Sequence, residues 1–167
     1  MEKFNHIELN NEVTKRGDNG FFRLEKDQEA IAEFLREVDY KTVKFSSEIK
    51  RLRYLVEENY YYNIFDKYIE DEIVECLELA ANYKFEFKSY MAASKFYKDY
   101  ALKTNDKKQY LENYNQHVFI VAMYLADGNV SLAKELMISM LEQRVQPATP
   151  TFNNLIFNIF IKNIIIV

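Results

Sequence analysis

Apolar positions recur along most of this chain at the three- and four-residue spacing of a helix that buries one face. After Asp27, a candidate N-cap, Ile31, Phe34, Leu35 and Val38 stand at i, i+3, i+4 and i+7, which predicts a first amphipathic helix. A second starts near Ser46 or Ser47 and puts Ile49, Leu52, Leu55 and Val56 on one face, with Lys50, Arg51, Arg53, Glu57 and Glu58 elsewhere. Between Tyr68 and Asn82 an acidic opening, Glu70, Asp71 and Glu72, suits the positive end of a helix dipole, and Ile73, Val74, Leu77 and Ala81 follow in register with Cys76 one position off the stripe. Ser89 opens a fourth with Ala93, Phe96, Tyr97 and Tyr100, ended by the turn residues Lys103-Thr104-Asn105-Asp106. The fifth, about Tyr110 to Asp127, is the most apolar, and Gly128 stands where a left-handed C-cap is expected. Ser131 opens a sixth with Leu132, Ala133, Leu136, Met137, Met140 and Leu141.

Outside these stripes the pattern weakens. Residues 1 to 23 hold Gly17-Asp18-Asn19-Gly20 between Ile7-Glu8-Leu9 and Phe21-Phe22-Arg23-Leu24, which predicts an arm or a two-stranded hairpin. Five or six helices of three to five turns with short polar joints predict a mainly α fold, an orthogonal helical bundle. Three Gly and two Pro in 167 residues exclude a sandwich or barrel built on many tight turns. Thirteen Tyr, thirteen Phe and no Trp suit a helical core sealed by amphipathic rings.

Charge and reactive groups narrow the function by exclusion. Twenty-two Lys and Arg are interspersed with twenty-six acidic residues for a net charge of −4, which gives no basic footprint for nucleic acid. A single cysteine forms no internal disulfide and the N-terminus is polar, so a cytoplasmic protein is expected. No two histidines stand four apart and no Glu-x-x-His occurs, so neither a metal site nor a bound cofactor is expected. Cys76 as a nucleophile with His117 as its base is conceivable, but a lone thiol on a helix reads first as a small hydrophobe. The three glycines exclude a Gly-rich phosphate loop. The run Glu57-Glu58-Asn59-Tyr60-Tyr61-Tyr62 reads as a helix end whose rings cap the core.

Both prolines lie in Arg144-Val145-Gln146-Pro147-Ala148-Thr149-Pro150-Thr151-Phe152-Asn153-Asn154, and they hold Gln146 and Thr149 in extended or turn geometry. The wording of Gln146 to Phe152 resembles the segment by which the large subunit of class Ib ribonucleotide reductase leaves its N-terminal helical domain and begins its catalytic barrel. Leu55-Val56-Glu57-Glu58-Asn59-Tyr60-Tyr61 is similar to another stretch of that family. So are Lys84-Phe85-Glu86-Phe87, Phe96 to Thr104, Tyr110-Leu111-Glu112, Val121-Ala122 and Leu125-Ala126-Asp127-Gly128, in the family's order. The resemblance implies an arm and shortened ATP-cone-like segment at residues 1–45, a helical domain at 46–146, the start of the barrel at 147–154 and an apolar tail unlike the family at 155–167. Residues 39 to 47 depart from the family's pattern, so no nucleotide site carries over to the N-terminal segment.

The family reduces ribonucleoside diphosphates to deoxyribonucleoside diphosphates. A cysteine thiyl radical abstracts the 3′ hydrogen, a cysteine pair supplies electrons, and a separate small subunit generates the radical. The resemblance implies the rest of the large subunit, in a homodimer, and that small subunit as partners, with substrate bound only in the complete enzyme. Of the family's site residues, Thr149, which matches a threonine that helps to hold the substrate diphosphate, is the one that carries over. No catalytic cysteine does. The expectation is a truncated or split N-terminal piece, inactive alone; the alternative is a non-catalytic helical interaction module left after loss of the enzyme. Ten of the 13 tail residues are apolar, too few for the roughly 20 that cross a bilayer. From Leu155 to Ile166 the tail uses only amino acids that A and T codons can specify, as translation past a gene interruption would give. The competing reading is a genuine C-terminal strand or helix covering the bundle.

Overall fold

The computed structural model describes residues 3–147. Among them are seven α-helices: α1 (His6–Val13), α2 (Glu25–Lys41), α3 (Glu48–Glu57), α4 (Glu70–Asn82), α5 (Tyr90–Asp99), α6 (Tyr114–Ala126) and α7 (Val130–Leu141), with a 3-10 turn at Ile64–Asp66. Strand pairing among the described residues is limited to isolated bridges, so the mainly α expectation holds. The described residues form two compact units, each made of two separate stretches: residues 3–43 with 86–111, and 44–85 with 112–147.

The first unit is organised on α2, which buries Ala30, Ile31, Phe34 and Val38 and has α1 and α5 against it. Phe34 is its aromatic centre, edge-on to His6 at 5.2 Å, Tyr90 at 5.7 Å and Tyr97 at 5.9 Å. The expected arm at the start of the chain is instead the helix α1. It has no fully buried residue, and so no stripe for the sequence to reveal. What it contributes is polar: His6 Nδ1 meets the Tyr90 hydroxyl at 2.8 Å and His6 Nε2 meets Glu37 Oε2 at 2.7 Å. A one-bridge hairpin does follow, Arg16 opposite Phe22, turning through Gly20 at φ +80, a left-handed value that favours glycine. Helix α2 begins at Glu25 and not after Asp27; the Asp27 carboxylate accepts from the Tyr90 backbone N–H at 3.1 Å, and so caps another helix.

The second unit is centred on α6. Eight of its residues are buried, among them Val118, Phe119, Ile120, Val121, Ala122 and Met123, so it is apolar all round, as a central helix must be. Helices α4 and α7 lie against it and against each other. Its start was expected near Tyr110, but Tyr110 is bridged to Thr42 and Lys103, and the helix opens at Asn113. There Asn113 Oδ1 accepts from the Gln116 N–H at 3.0 Å, and Gln116 Oε1 accepts from the Asn113 N–H at 2.9 Å, a reciprocal capping box. Ser47 and Ser89 cap α3 and α5 as expected, whereas α7 is capped by Asn129 and not Ser131. With few glycines, left-handed turns fall to Asn59, Lys107, Asp127 and Gln143, and the expected Gly128 follows Asp127 at φ +96.

Candidate functional site

Thr149, the residue expected to touch substrate, lies outside the described residues, as do most of the 147–154 segment and the whole 155–167 tail. The structure follows the chain to its threshold. Helix α7 ends at Leu141, Gln143 turns left-handed at φ +59, and the Arg144 and Val145 N–H groups donate back to the Ser139 carbonyl at 2.9 and 3.2 Å. Those bonds satisfy the carbonyl end of α7 and aim the chain toward Pro147.

The polar groups that the described structure buries deepest lie in the second unit. Arg51 is 2% exposed, and Glu112 and His117 are fully buried. The Glu112 carboxylate accepts on one oxygen from the Tyr61 hydroxyl and on the other from His117 Nδ1 at 2.9 Å. Because an ionised carboxylate only accepts, Nδ1 carries the proton. Burial pushes the Tyr61 phenol well above its usual range, and the Glu112 charge adds to that; Arg51 works in the opposite direction. Arg51 Nε donates to Glu48 Oε2 at 2.9 Å, and its two terminal nitrogens face the Tyr61 side without an acceptor in hydrogen-bonding geometry. Burial disfavours its charge, but Tyr61 and Glu48 outweigh that and raise its pKa.

This cluster contains hydrogen-bonded donors, acceptors and opposite charges, with the two terminal nitrogens of Arg51 left without an acceptor, and no nucleophile. It ties α3, the turn at Tyr61 and the start of α6 together, so its chemistry is positional. Cys76 is fully buried in α4 and burial pushes its thiol pKa up, away from the thiolate a nucleophile needs. His117 is engaged with Glu112 and not with a thiol, so the pairing of Cys76 with His117 has no geometric support. Among the described residues no three His, Cys, Asp or Glu side chains stand together to hold a metal ion. Sequence reading missed the buried Arg51 and Glu112, although Arg51 sits four residues before Leu55 on the buried face of α3.

One connection in this cluster bears on ancestry. Tyr61 closes the Leu55–Tyr61 stretch and Glu112 closes Tyr110–Glu112, two of the segments that resemble one enzyme family, and they meet through a hydrogen bond 51 residues apart in sequence. Residues 6–85 match the family model described as ribonucleotide reductase N-terminal, and residues 86–157 match that of the ribonucleotide reductase all-alpha domain. The chain belongs to the ribonucleotide reductase family. It is 45% identical over 152 residues to the ribonucleoside-diphosphate reductase NrdEB subunit alpha of Bacillus subtilis, a match covering 90% of this chain and 14% of that one. It is also 45% identical over 150 residues to a second Bacillus subtilis ribonucleoside-diphosphate reductase subunit alpha, covering 89% and 21%, and 40% identical over 151 residues to the Mycoplasma pneumoniae subunit, covering 89% and 20%. The chain therefore spans only about a seventh to a fifth of the length of these reductase subunits. Each of its structural units draws on both family-model regions, since 3–43 joins 86–111 and 44–85 joins 112–147.

Proposed function

We propose that this chain serves as the N-terminal helical portion of a ribonucleoside-diphosphate reductase α subunit and works only with the remainder of that subunit supplied. The observation that carries this is the coincidence of family and thiol count. Two reductase family models together match residues 6–157, yet the sequence has one cysteine, and that one is buried. Reduction of a ribose needs one thiol to carry the radical and two more to deliver the electron pair and end as a disulfide. One thiol cannot do both.

On this reading residues 1–45 are the N-terminal segment, 46–146 the helical domain and 147–154 the start of the barrel, where the Thr149 hydroxyl donates to the substrate diphosphate. The partners are the barrel-bearing remainder, a second α subunit and the radical-generating small subunit, and the setting is the cytoplasm. No helix among the described residues is long and apolar enough to cross a membrane. The test is a reductase assay on the purified chain with a small subunit and a dithiol. No deoxyribonucleotide is expected from any ribonucleoside diphosphate; turnover by the chain alone overturns the proposal.

A further inference from the structure

Helix α7 ends in a turn that leaves the exiting chain little freedom. Its last residues, Met140 and Leu141, are each only 2% exposed, so the helix end is fixed in the core of the second unit. Beyond them Gln143 is left-handed at φ +59. Its N–H donates to the Met140 carbonyl at 3.0 Å and the Arg144 N–H to the Ser139 carbonyl at 2.9 Å, the paired bonds that close a helix around a left-handed residue just past its end. The Val145 N–H adds a third bond, to the same Ser139 oxygen at 3.2 Å. Glycine usually holds that left-handed position, because any side chain there costs conformational energy; here it is Gln143. The residues that follow are restricted by sequence. Pro147 fixes its own φ and pushes Gln146 to extended or turn geometry, and Pro150 does the same to Thr149. Few backbone torsions between Gln143 and Thr149 are left free to absorb a change at the turn.

We infer that Gln143 is a positioning residue for substrate binding: its left-handed turn sets the direction in which the chain leaves α7, and so the place of the Thr149 hydroxyl at the substrate diphosphate. This rests on the proposed function, in which Thr149 makes that contact in the complete subunit. Thr149 lies six residues beyond Gln143, at most about 20 Å of extended chain, so a change of about 10° in the exit direction moves it by up to about 3 Å. A hydrogen bond does not survive a shift of that size, since donor and acceptor must stand within about 3 Å of each other. Gln143 itself touches no substrate. Its effect on binding is carried by Thr149.

The test exchanges residues 5–154 of this chain into the full-length Bacillus subtilis α subunit and measures KM and kcat for a ribonucleoside diphosphate with small subunit and dithiol. Thr149→Val is expected to raise KM about tenfold or more with kcat unchanged, the loss of one hydrogen bond to a charged group made alike in ground and transition states. Gln143→Val, whose β-branched side chain disfavours a left-handed backbone, is expected to raise KM to the same extent, and Gln143→Gly, which keeps the turn freely, to leave KM at the wild-type value. The double variant Gln143→Val with Thr149→Val is expected to be no worse than either alone, because the turn acts through the hydroxyl; a turn that merely stabilises the fold would give losses that multiply. As a second measurement, one glycine inserted between Val145 and Gln146 leaves the helix end and its bonds intact but displaces Thr149, and is expected to raise KM as Gln143→Val does. A wild-type KM in Gln143→Val or in the insertion variant, beside a raised KM in Thr149→Val, overturns the positioning role and leaves the proposed function standing. Multiplying losses in the double variant do the same. An unchanged KM in Thr149→Val overturns the substrate contact and the positioning role with it, and an exchanged subunit that reduces no ribonucleotide overturns the proposed function and this inference together.

Discussion

His117 Nδ1 lies 2.9 Å from Glu112 Oε1, and neither side chain has any exposure to solvent. With Tyr61 on the second carboxylate oxygen, Glu112 becomes the joint at which residues far apart in sequence are held at the opening of α6. Removing one partner from a buried charged set leaves the others desolvated and uncompensated, which costs far more than the set contributes when complete. Glu112→Ala is therefore expected to destabilise the chain by about 3–5 kcal/mol. Glu86→Ala removes a carboxylate that is 78% exposed and 3.9 Å from an exposed Lys88, and is expected to cost no more than about 1 kcal/mol. Urea unfolding followed by circular dichroism checks both; comparable losses in the two variants would contradict the role given to Glu112.

The tyrosines make a base-side prediction. Burial, first among the causes, raises the pKa of Tyr61, Tyr62, Tyr68, Tyr90, Tyr110 and Tyr114 above the usual 10.0. When the folded pKa is the higher one, the stability is fully present below the unfolded value and is lost as pH rises toward the folded value. Stability is thus expected to be flat up to about pH 9.5 and to fall steeply beyond 10, these phenols ionising together as the chain unfolds. Phenolate absorbance and helical ellipticity followed against pH should break at the same point. Smooth titration of all thirteen tyrosines with the helices intact would contradict it.

The two structural units interleave the two family-model regions, so a cut between Phe85 and Glu86 divides both cores at once. Residues 1–85 keep α1 and α2 but lose α5, and they keep α3 and α4 but lose α6 and α7. Neither fragment is expected to show a cooperative thermal transition alone, and an equimolar mixture is expected to regain helix. A sharp transition in either fragment by itself would show that the regions fold as the sequence matches divide them.

The legibility of this fold follows from what burial does to sequence. Helices α2 to α5 stood out because Phe34, Leu52, Ile73 and Phe96 recur with their neighbours on one stripe, and because Ser47 and Ser89 are strong cap formers. Helix α1 did not, since His6 fastens it by hydrogen bonds to Tyr90 and Glu37, contacts that leave no apolar period. Tyr110 and Leu111 continued the apolar run of α6 backwards, yet Tyr110 spends its backbone on Lys41 and Val43, and only the Asn113 and Gln116 pair marked the true start. Arg51 was placed off the apolar face of its helix and Glu112 was given no buried role, because ionised side chains are almost always at the surface, and only the partner each finds in space makes their burial tolerable. The proposed role of Thr149 rests on resemblance alone: the residue lies between two prolines, and no periodicity points to it.

Thr149 carries a prediction that depends on context. In the 167-residue chain Thr149→Val is expected to leave thermal unfolding unchanged. In a complete subunit assembled around residues 5–154 it removes a hydroxyl from a charged phosphate and is expected to weaken ribonucleoside diphosphate binding by about 1.5–3 kcal/mol. Substrate titration by equilibrium dialysis distinguishes the two settings, and equal affinity with Thr or Val in the complete subunit would remove Thr149 from the site.

The central claim is that this helical chain is one part of a reductase whose chemistry resides in another. It is tested most directly by mixing the purified chain with the barrel-bearing remainder of a Bacillus subtilis α subunit, a matching small subunit and dithiol, and measuring conversion of a ribonucleoside diphosphate to its deoxy product. The account predicts no product when either polypeptide is omitted and sustained turnover when both are present. A remainder that turns over equally well without the chain, or one that binds the chain and stays inactive, would contradict it.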